Sequence, residues 1–410
     1  MTTITITRLG HQGDGIADGP IFAARTLPGE VVSGRLEGRQ LCDLKIETPA
    51  ETRIKPPCPH YKSCGGCALQ HASDAFVAGW KVDVVRQALA AQGITPTFRA
   101  IHTSPSRSRR RATLAARRTK KGVLVGFYAR ASDTITEIPG CILLSENLLA
   151  ARAAIAALAE VGASRKGALA VTATTSEVGI DLSVQGGKPL DGPLQIALAA
   201  IAESHDLARL TWEDEVIVTR HAPVQRFGAT VVTPPPGAFL QATPDGEAAL
   251  LAAVKEATEG ARRIIDLFAG CGTFALPLAA GAEVHAVEGS RAMTEALDYG
   301  WRHAHGLRRV TTEARDLFRN PVIAEDFSGF DAAVIDPPRA GAEAQATEIA
   351  AAKLPRIAYV SCNPVTFARD AKIFIQSGYV LNWVQVVDQF RWSAHVELAA
   401  SFSLTHMAGQ

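Results

Sequence analysis

The sequence lacks an excess of charge of either sign, a long apolar run and an N-terminal leader pattern, and each absence excludes a class of protein. Its 42 basic and 41 acidic side chains leave a net charge of +1, so composition alone predicts no nucleic-acid partner and any basic patch must be local. No apolar run is long enough to span a bilayer, and the first residues carry no cleavage-site pattern. We therefore expect a cytoplasmic protein with no membrane partner.

The chain is long enough for more than one hydrophobic core. With 410 residues, 47% of them apolar, it should form two to four domains. Seven cysteines in a reducing compartment point to metal binding or catalysis before disulfides. The patterns described below predict three domains, residues 1–52, 53–232 and 233–410.

The first 50 residues alternate short strand patterns with glycine-rich breaks. The strand patterns cover Thr3–Leu9, Ile21–Ala24, Val31–Leu36 and Leu41–Ile46. Several strands at this spacing favour a small OB-like β-barrel. Such barrels often bind oligonucleotides, although a purely structural module fits the same pattern.

A cysteine-rich loop follows the predicted barrel. Cys58, Cys64 and Cys67 have the spacing C-x₅-C-x₂-C among glycines and prolines, whose turns bring thiolates close to one centre. Cys141, in a similar Pro-Gly turn, is the candidate fourth ligand. The C-x₃-C-x₂-C spacing of radical enzymes is absent. Four thiolates suit an iron–sulfur cluster or a structural zinc ion, and unrelated buried cysteines are the alternative.

A run of cations without any acid lies between these cysteines. It predicts a β-hairpin that turns at Lys120–Gly122 and has its second strand over Gly122–Tyr128. Its cations are Arg107, Arg109, Arg110, Arg111, Arg117, Arg118, Lys120 and Lys121. Such a run is often only a solvated face, but its imbalance in a near-neutral protein favours a surface that binds RNA phosphates.

From residue 245 onward, helix and strand patterns alternate, as in a parallel α/β sheet. The stretch Asp266–Phe274 is a glycine loop between a buried strand and a helix, and Glu288 ends the next strand 22 positions after Asp266. A glycine loop with an acid at that distance suits the ribose of a nucleoside. Because the third glycine of a dinucleotide fingerprint is missing, we expect a ligand without phosphates, such as S-adenosylmethionine.

Two further strand ends in this region carry acids. Asp316 follows the third strand and is placed to meet an adenine. Asp336 follows the fourth strand and precedes Pro337, Pro338 and Arg339, which make a rigid loop. Amino-group methyltransferases tend to place an aromatic residue after such prolines, so Arg339 favours carbon as the methyl acceptor.

The fifth strand delivers a cysteine to the same edge. The buried pattern Ile357–Val360 runs into Ser361-Cys362-Asn363-Pro364, where the Asn-Pro pair ends the strand. Ligands of open α/β sheets lie outside the carboxyl ends of the strands, so Cys362 is a candidate nucleophile. Glu397, 35 positions later, is a candidate proton acceptor. The alternative is that Cys362 is a small buried apolar residue.

Together these motifs resemble the RNA 5-methyluridine (uracil-C5) methyltransferase family over essentially the whole chain, in its cluster-bearing 23S rRNA type. The resemblance implies a TRAM β-barrel, a central α+β iron–sulfur domain and a C-terminal class I (Rossmann-like) methyltransferase domain. His11–Ala17 is similar to the opening turn of the TRAM module. The implied cofactors are S-adenosylmethionine and a [4Fe–4S] cluster, whose ligands would be Cys58, Cys64, Cys67 and Cys141.

The resemblance also implies roles at the catalytic edge. Cys362 matches the nucleophile, Glu397 the general base, and Asp336 a residue that orients the uracil. The implied cofactor contacts are Gln241, Phe268, Thr273, Glu288, Asp316 and Asp336. Thr273 and Asp316 stand where relatives often have asparagine, although both side chains can still form hydrogen bonds.

The implied substrate is a structured RNA, with 23S rRNA favoured and the T-loop of tRNA possible, and we expect a monomer. Cytosine-5 methylation needs the same thiolate chemistry, but it usually uses a Pro-Cys or Thr-Cys-Ser context that is absent here. A non-catalytic RNA-binding protein and a zinc-stapled methyltransferase are the remaining alternatives.

Overall fold

The computed structural model describes residues 1–404, and the first of its sheets lies within residues 2–48. Its strands are β1 (Thr2–Thr5), β2 (Arg8–Leu9), β3 (Gly15–Ala17), β4 (Ile21–Ala23), β5 (Val31–Glu37) and β6 (Gln40–Thr48). They lie in the order β1-β5-β6-β4-β3-β2 around a small core that includes Ile6, Ala23 and Val32. Strand β3 was not among the strands predicted from the sequence, because its three residues are too few to show an alternation.

The second sheet belongs to the central part of the chain. The elements from residue 74 to residue 219 are α1 (Asp74–Ala90), β7 (His102–Thr103), β8 (Arg111–Thr119), β9 (Gly122–Tyr128), β10 (Ile135–Glu137), α2 (Glu146–Ala150), α3 (Arg152–Gly162), β11 (Leu169–Ser176), β12 (Gly179–Gln185), α4 (Gly192–Ser204), β13 (Leu207–Trp212) and β14 (Glu215–Thr219). The sheet order is β10-β9-β8-β11-β12-β13-β14. Strands β8 and β9 form the hairpin that the sequence predicted, with its turn at Lys120 and Lys121.

The third sheet carries the glycine loop and the candidate cysteine. The elements from residue 225 onward are β15 (Gln225–Phe227), β16 (Thr230–Val232), α5 (Pro244–Ala257), β17 (Arg263–Leu267), α6 (Ala275–Leu278), β18 (Glu283–Glu288), α7 (Arg291–Arg302), β19 (Val310–Ala314), β20 (Ala332–Ile335), α8 (Glu343–Ala352), β21 (Arg356–Ser361), α9 (Pro364–Gln376), β22 (Tyr379–Asp388) and β23 (Leu398–Leu404). Strands β19-β18-β17-β20-β21 are parallel, and β23 runs antiparallel between β21 and β22. Two large apolar cores cover this sheet.

Helix α1 and strand β7 pack with the third sheet, although the sequence pattern assigned them to the central domain. Val85 and Leu89 of α1 are fully buried in one of the two cores of that sheet, and β7 pairs with the end of β22. A boundary drawn at residue 233 therefore does not separate the packed units, because a composition change cannot show which core an amphipathic helix covers. Among residues 1–404, no helix has the length and apolarity needed to cross a membrane.

Candidate active site

The register of the third sheet brings four predicted site residues to one edge. Leu267 pairs with Ile335, and Ile335 pairs with Tyr359, so Phe268 and Asp336 leave neighbouring strands side by side. On the other flank Ser361 pairs with Leu398 in antiparallel register. The residue after β21 and the residue before β23 are Cys362 and Glu397, which therefore lie together at the ends of paired strands.

The turn at Cys362 is fixed by its neighbours. The side chain of Asn363 caps α9 by accepting the N–H of Val365 at 3.1 Å, and Pro364 occupies the first turn of the helix. The Asn363 amide also donates to the carbonyl of Arg339 at 2.9 Å, which ties this turn to the loop after Asp336. Cys362 is thus held between two rigid segments, with its side chain partly exposed.

The surroundings of Cys362 disfavour the thiolate in the unliganded protein. Burial, and then the charges of Glu397 and Asp336, raise the pKa of the Cys362 thiol to about 11, while the cation of Arg339 acts in the opposite direction. A cationic ligand bound at this edge would therefore favour the thiolate, because it would offset the two carboxylates.

A chain of side-chain hydrogen bonds joins the two carboxyl groups. The amide nitrogen of Gln389 donates to Glu397 at 3.2 Å and to the side-chain oxygen of Gln241 at 2.6 Å. The amide nitrogen of Gln241 then donates to Asp336 at 3.2 Å. Burial raises the pKa of Asp336 to about 7, and burial followed by the charge of Asp336 raises the pKa of Glu397 well above its usual range.

The glycine loop after β17 has the geometry of a ligand cradle. Gly270 and Gly272 both have positive φ, and a Cβ placed on Gly270 would point into open space. The carboxylate of Glu288 accepts the N–H groups of Gly270 and Ser290, at 3.0 and 2.9 Å, which fixes it beside the loop. Asp266 is fully buried beneath the loop, where burial and then the charge of Asp336 raise its pKa well above the usual range. The open space over Gly270 and the fixed carboxylate of Glu288 fit a ligand with a ribose, such as S-adenosylmethionine.

The remaining predicted cofactor contacts surround this cradle. Phe268 adopts a left-handed backbone (φ 62°), an unusual conformation for a bulky residue that is typical of functional sites. Thr273 is half-buried at the end of the glycine loop. Asp316 is exposed after β19, where it accepts the N–H of Phe318, and the Phe318 ring lies 5.5 Å from that of Phe268. Phe268 and Thr273 therefore lie in the loop after β17, Glu288 lies at the end of β18, and Asp316 follows β19.

The four predicted cluster ligands line one small cavity. All seven cysteines are free, and Cys58, Cys64, Cys67 and Cys141 all border this enclosed space. Burial, with a further contribution from the neighbouring thiols, raises the pKa of Cys67 to about 12. In the part of the chain that the structure describes, however, no group of three or more His, Cys, Asp or Glu side chains is arranged to hold a metal ion. The donor type and the common cavity suit a thiolate-bound group, whereas the side-chain arrangement does not support one.

The predicted basic hairpin is not a continuous cationic surface. Arg110 is 8% exposed and forms an ion pair with Glu247 of α5, and Arg111 donates to the carbonyl of Gly237 at 3.1 Å. Arg109 donates to the backbone of Arg111. Arg110 and Arg111 therefore connect the second sheet to α5 and to the segment that precedes it. Arg107, Lys120 and Lys121 are exposed, and the half-exposed members are Arg109, Arg111, Arg117 and Arg118. For these seven residues RNA binding stays a prediction.

A broad groove of about 1350 Å³ connects the first sheet to Cys362. The N-terminal sheet, the cysteine loop, α1 and the Cys362 turn all contribute to its walls. Its charged lining comprises Arg8, Arg25, Arg109, Arg130, Arg339 and a single carboxylate, Asp83. Five arginines against one carboxylate make this surface locally basic, and one of them, Arg130, is ion-paired with Asp14. Sequence reasoning missed it because its arginines come from distant parts of the chain.

Sequence reasoning also missed Gln389 and the partner of Arg339. Gln389 is 1% exposed at the end of β22, eight positions before Glu397, and an amide at a strand end beside a candidate base was the available signal. Arg339 contacts the Nδ1 atom of His395 across the groove. Two positions before Glu397, this histidine could have been noted as part of the same turn.

The fold and the site define a class I methyltransferase that uses S-adenosylmethionine. The third sheet has five parallel strands, an antiparallel last strand and a glycine loop after its first strand in sequence, with acids at the next strand ends. A solved structure with the same fold over 98% of this chain and 99% of its own is the Pyrococcus abyssi tRNA (uracil-54, C5)-methyltransferase in complex with S-adenosyl-L-homocysteine, at a TM-score of 0.77 and 22% identity.

Comparisons of sequence identify the family. Residues 234–403 match the tRNA (uracil-5-)-methyltransferase family. An RNA methyltransferase of Rhizobium meliloti is 42% identical over 97% of this chain and 98% of its own, and the 23S rRNA (uracil(1939)-C(5))-methyltransferase RlmD of Shewanella piezotolerans is 32% identical over 98% and 95%. The chain belongs to the RNA uracil-5-methyltransferase family and is an S-adenosylmethionine-dependent RNA methyltransferase.

Proposed function

We propose that this enzyme forms 5-methyluridine in 23S rRNA, in the cytoplasm, by transient covalent attachment of Cys362 to the uracil. The register that sets Cys362 beside Glu397 at the mouth of an arginine-lined groove is the observation that supports this proposal most strongly. The full-length similarity to a 23S rRNA enzyme supports the choice of RNA.

The chemistry requires a nucleophile because carbon 5 of uracil is too weak to accept a methyl group unaided. The Cys362 thiolate forms a bond to carbon 6, and the ring becomes an enolate whose carbon 5 can attack. S-adenosylmethionine is the second substrate and supplies the methyl group. Glu397 then removes the proton from carbon 5, the bond between carbon 6 and sulfur breaks, and the thiolate returns. General-base help of this kind is worth about 10²–10⁴-fold.

The other residues of the edge would hold the substrates. Gln241, Phe268, Thr273, Glu288, Asp316 and Asp336 are the proposed contacts for S-adenosylmethionine. Asp336 would also orient the uracil edge, since it lies between the cradle and Cys362. Bringing the base to Cys362 costs a few kcal/mol of unstacking, so we expect a uridine in a loop or single strand of a structured RNA.

Replacing Glu397 with glutamine tests the mechanism. E397Q should accumulate a methylated RNA adduct that survives denaturing gels, because the adduct can form but cannot lose its carbon-5 proton. C362A should form no adduct and no product, yet should bind S-adenosylhomocysteine in calorimetry as the wild type does. Rapid release of methylated RNA from E397Q would remove the base role of this residue.

The RNA substrate is tested separately. Unmodified transcripts of 23S rRNA and of tRNA are offered to the enzyme, and 5-methyluridine is mapped in both. Methylation of the 23S transcript alone supports the proposal. Methylation of the tRNA alone would instead place the enzyme with the T-loop methyltransferases, with the same catalytic residues.

We further propose that residues 1–52 act as a TRAM-type RNA-binding domain and that the four cysteines hold a [4Fe–4S] cluster. The common cavity and the absence of disulfides support the second point. The role of the cluster is structural or RNA-positioning, because methyl transfer moves no net electrons. Anaerobic purification with iron, sulfide and zinc analysis tests it. About four irons per chain support the cluster, whereas bound zinc supports a structural zinc ion held by the cysteine loop. A protein that contains neither metal would contradict both interpretations.

A further inference from the structure

We propose that Gln389 is a positioning residue that holds the Glu397 side chain ready to accept the carbon-5 proton and links it to the cofactor side of the site. This inference rests on the proposed role of Glu397. It adds a residue that neither the motifs nor the comparisons single out.

The orientation of the Gln389 amide is determined by its contacts. Its oxygen accepts the backbone N–H of Ala242 at 2.7 Å, so its nitrogen must face the other way. That nitrogen has two hydrogens, and the structure provides one acceptor for each, on Gln241 and on Glu397. Both N–H groups of the Gln389 amide are therefore used. If the amide were flipped, so that its oxygen and nitrogen changed places, these hydrogen bonds would be lost.

The backbone on both sides holds Gln389 in this place. The preceding residue, Asp388, is buried and accepts a hydrogen bond from the ammonium of Lys81 at 2.5 Å. This contact fixes the position of the end of β22. On the other side Gly246 of α5 leaves room for the Gln389 side chain, because a Cβ at that glycine would lie 2.7 Å from the Cβ of Gln389. The fold thus provides a fitted space for this glutamine, which is 1% exposed.

The contacts explain what Gln389 does for Glu397. A buried carboxyl group prefers its neutral form, which cannot accept a proton. The N–H of Gln389 favours the ionised form and fixes which oxygen remains free, while Arg339 acts in the same direction and Asp336 opposes it. Through Gln241 the same chain of donors ends on Asp336, so both carboxyl groups receive an N–H from one continuous amide pair.

The variants Q389M and Q389E separate this role from general packing. Q389M keeps the length but has no donor, and Q389E keeps the acceptor for Ala242 while replacing the donor with a carboxyl. Each should lower kcat by about tenfold, the usual worth of a hydrogen bond to a charged group. Each should also accumulate the methylated adduct on a 23S transcript. Q385M is the matched control, since Gln385 lies on the same strand and donates only to the carbonyl of Ala100.

The double variant Q389M/E397Q decides whether the two residues act together. If Gln389 works through Glu397, the double variant should release product no more slowly than E397Q alone. Two outcomes overturn the inference and leave the proposed function standing. In one, the rate losses of Q389M and E397Q multiply in the double variant. In the other, Q389M and Q389E turn over at the wild-type rate while E397Q traps the adduct. If E397Q traps nothing, the base role and the inference fall together. Melting temperatures and S-adenosylhomocysteine binding establish that each variant is folded, and Q389E covers a failure of Q389M.

Discussion

At the scale of single residues, the proposed catalytic edge combines a thiol and two buried carboxyl groups, and the pKa of each of these groups is raised. The pKa of Cys362 is raised by burial and by the neighbouring carboxylates, and Arg339 is the cationic side chain that acts to lower it. This balance makes the thiol slow to react until a substrate rearranges the local charge.

The reactivity of Cys362 provides a direct test of that balance. Since its pKa is about 11, the rate of alkylation by iodoacetamide should rise about tenfold for each pH unit between 7 and 10. R339M should raise the pKa further and slow alkylation at every pH. Mass spectrometry of the Cys362 peptide measures the rate, and R319M is the control because Arg319 is highly exposed on another loop. Equal rates for R339M and R319M would contradict the assigned effect of Arg339.

The carboxyl groups predict how stability depends on pH. Because burial raises the pKa of Asp336 from an ordinary 3.8 to about 7, the folded protein holds a proton between these values that the unfolded chain has released. The contribution of Asp336 to the free energy of unfolding should therefore be fully present below pH 4. It should be lost as pH rises through 7, and the loss should be on the order of 4 kcal/mol. Melting temperatures of the protein without cofactor, recorded from pH 5 to 8, should show a shallower decline for D336N than for the wild type. D18N, at an exposed aspartate, should follow the wild type.

At the scale of secondary-structure elements, α1 is joined to the end of β22 by a buried ion pair. Lys81 has no exposed side-chain surface, and its ammonium contacts Asp388 and the carbonyl of Phe390. The loop that begins there continues to Trp392, whose carbonyl accepts the N–H groups of Ala68 and Leu69 beside the cysteine loop. One loop therefore connects the proposed cluster to Glu397, the proposed general base.

Removing one partner of this ion pair should be costly. K81M leaves Asp388 buried without its counter-charge, a change usually worth about 3–5 kcal/mol, so the first thermal transition should move to clearly lower temperature. K45M removes one partner of an exposed pair and should change it little, because such pairs contribute about 0–1 kcal/mol. Differential scanning calorimetry compares the two. A K81M transition matching that of K45M would show that the pair does not hold α1 in place.

Helices and strands with a regular spacing of apolar residues were predictable from the sequence, whereas contacts between residues far apart in the chain were not. The glycine loop and the turn at Cys362 could be placed because each follows a buried strand. The hairpin was also placed, but Arg110 was misread as a surface residue. Its partner Glu247 lies 137 positions away, and a run of cations carries no information about which face each one occupies. Gln389 was missed for the same reason, since its partners at 241 and 397 meet it only in the folded sheet.

At the scale of the whole molecule, the groove is the surface where we expect RNA to bind, although the protein as a whole is nearly neutral. Five arginines and one carboxylate line it, and they come from the N-terminal sheet, the hairpin and the catalytic sheet. The net charge of the chain does not reveal these arginines, because its basic and acidic side chains are nearly equal in number. We expect an RNA that reaches Cys362 to lie along this surface.

The salt dependence of RNA binding tests this route. Arg8 is exposed on the wall that the N-terminal sheet provides. R8Q should weaken binding of a 23S transcript and reduce the slope of log affinity against log salt by about one phosphate contact. R165Q, at an exposed arginine outside the groove, should leave the slope unchanged. Equal slopes for the two variants would exclude the N-terminal sheet from the RNA path.

The position of β23 bears on when the enzyme becomes active during its own synthesis. This strand follows β22 in the sequence, yet it lies between β21 and β22. Synthesis adds the proposed nucleophile before the proposed base, because residue 362 precedes residue 397. We therefore expect a nascent chain to lack the proposed reaction cycle until β23 is inserted and brings Glu397 beside Cys362.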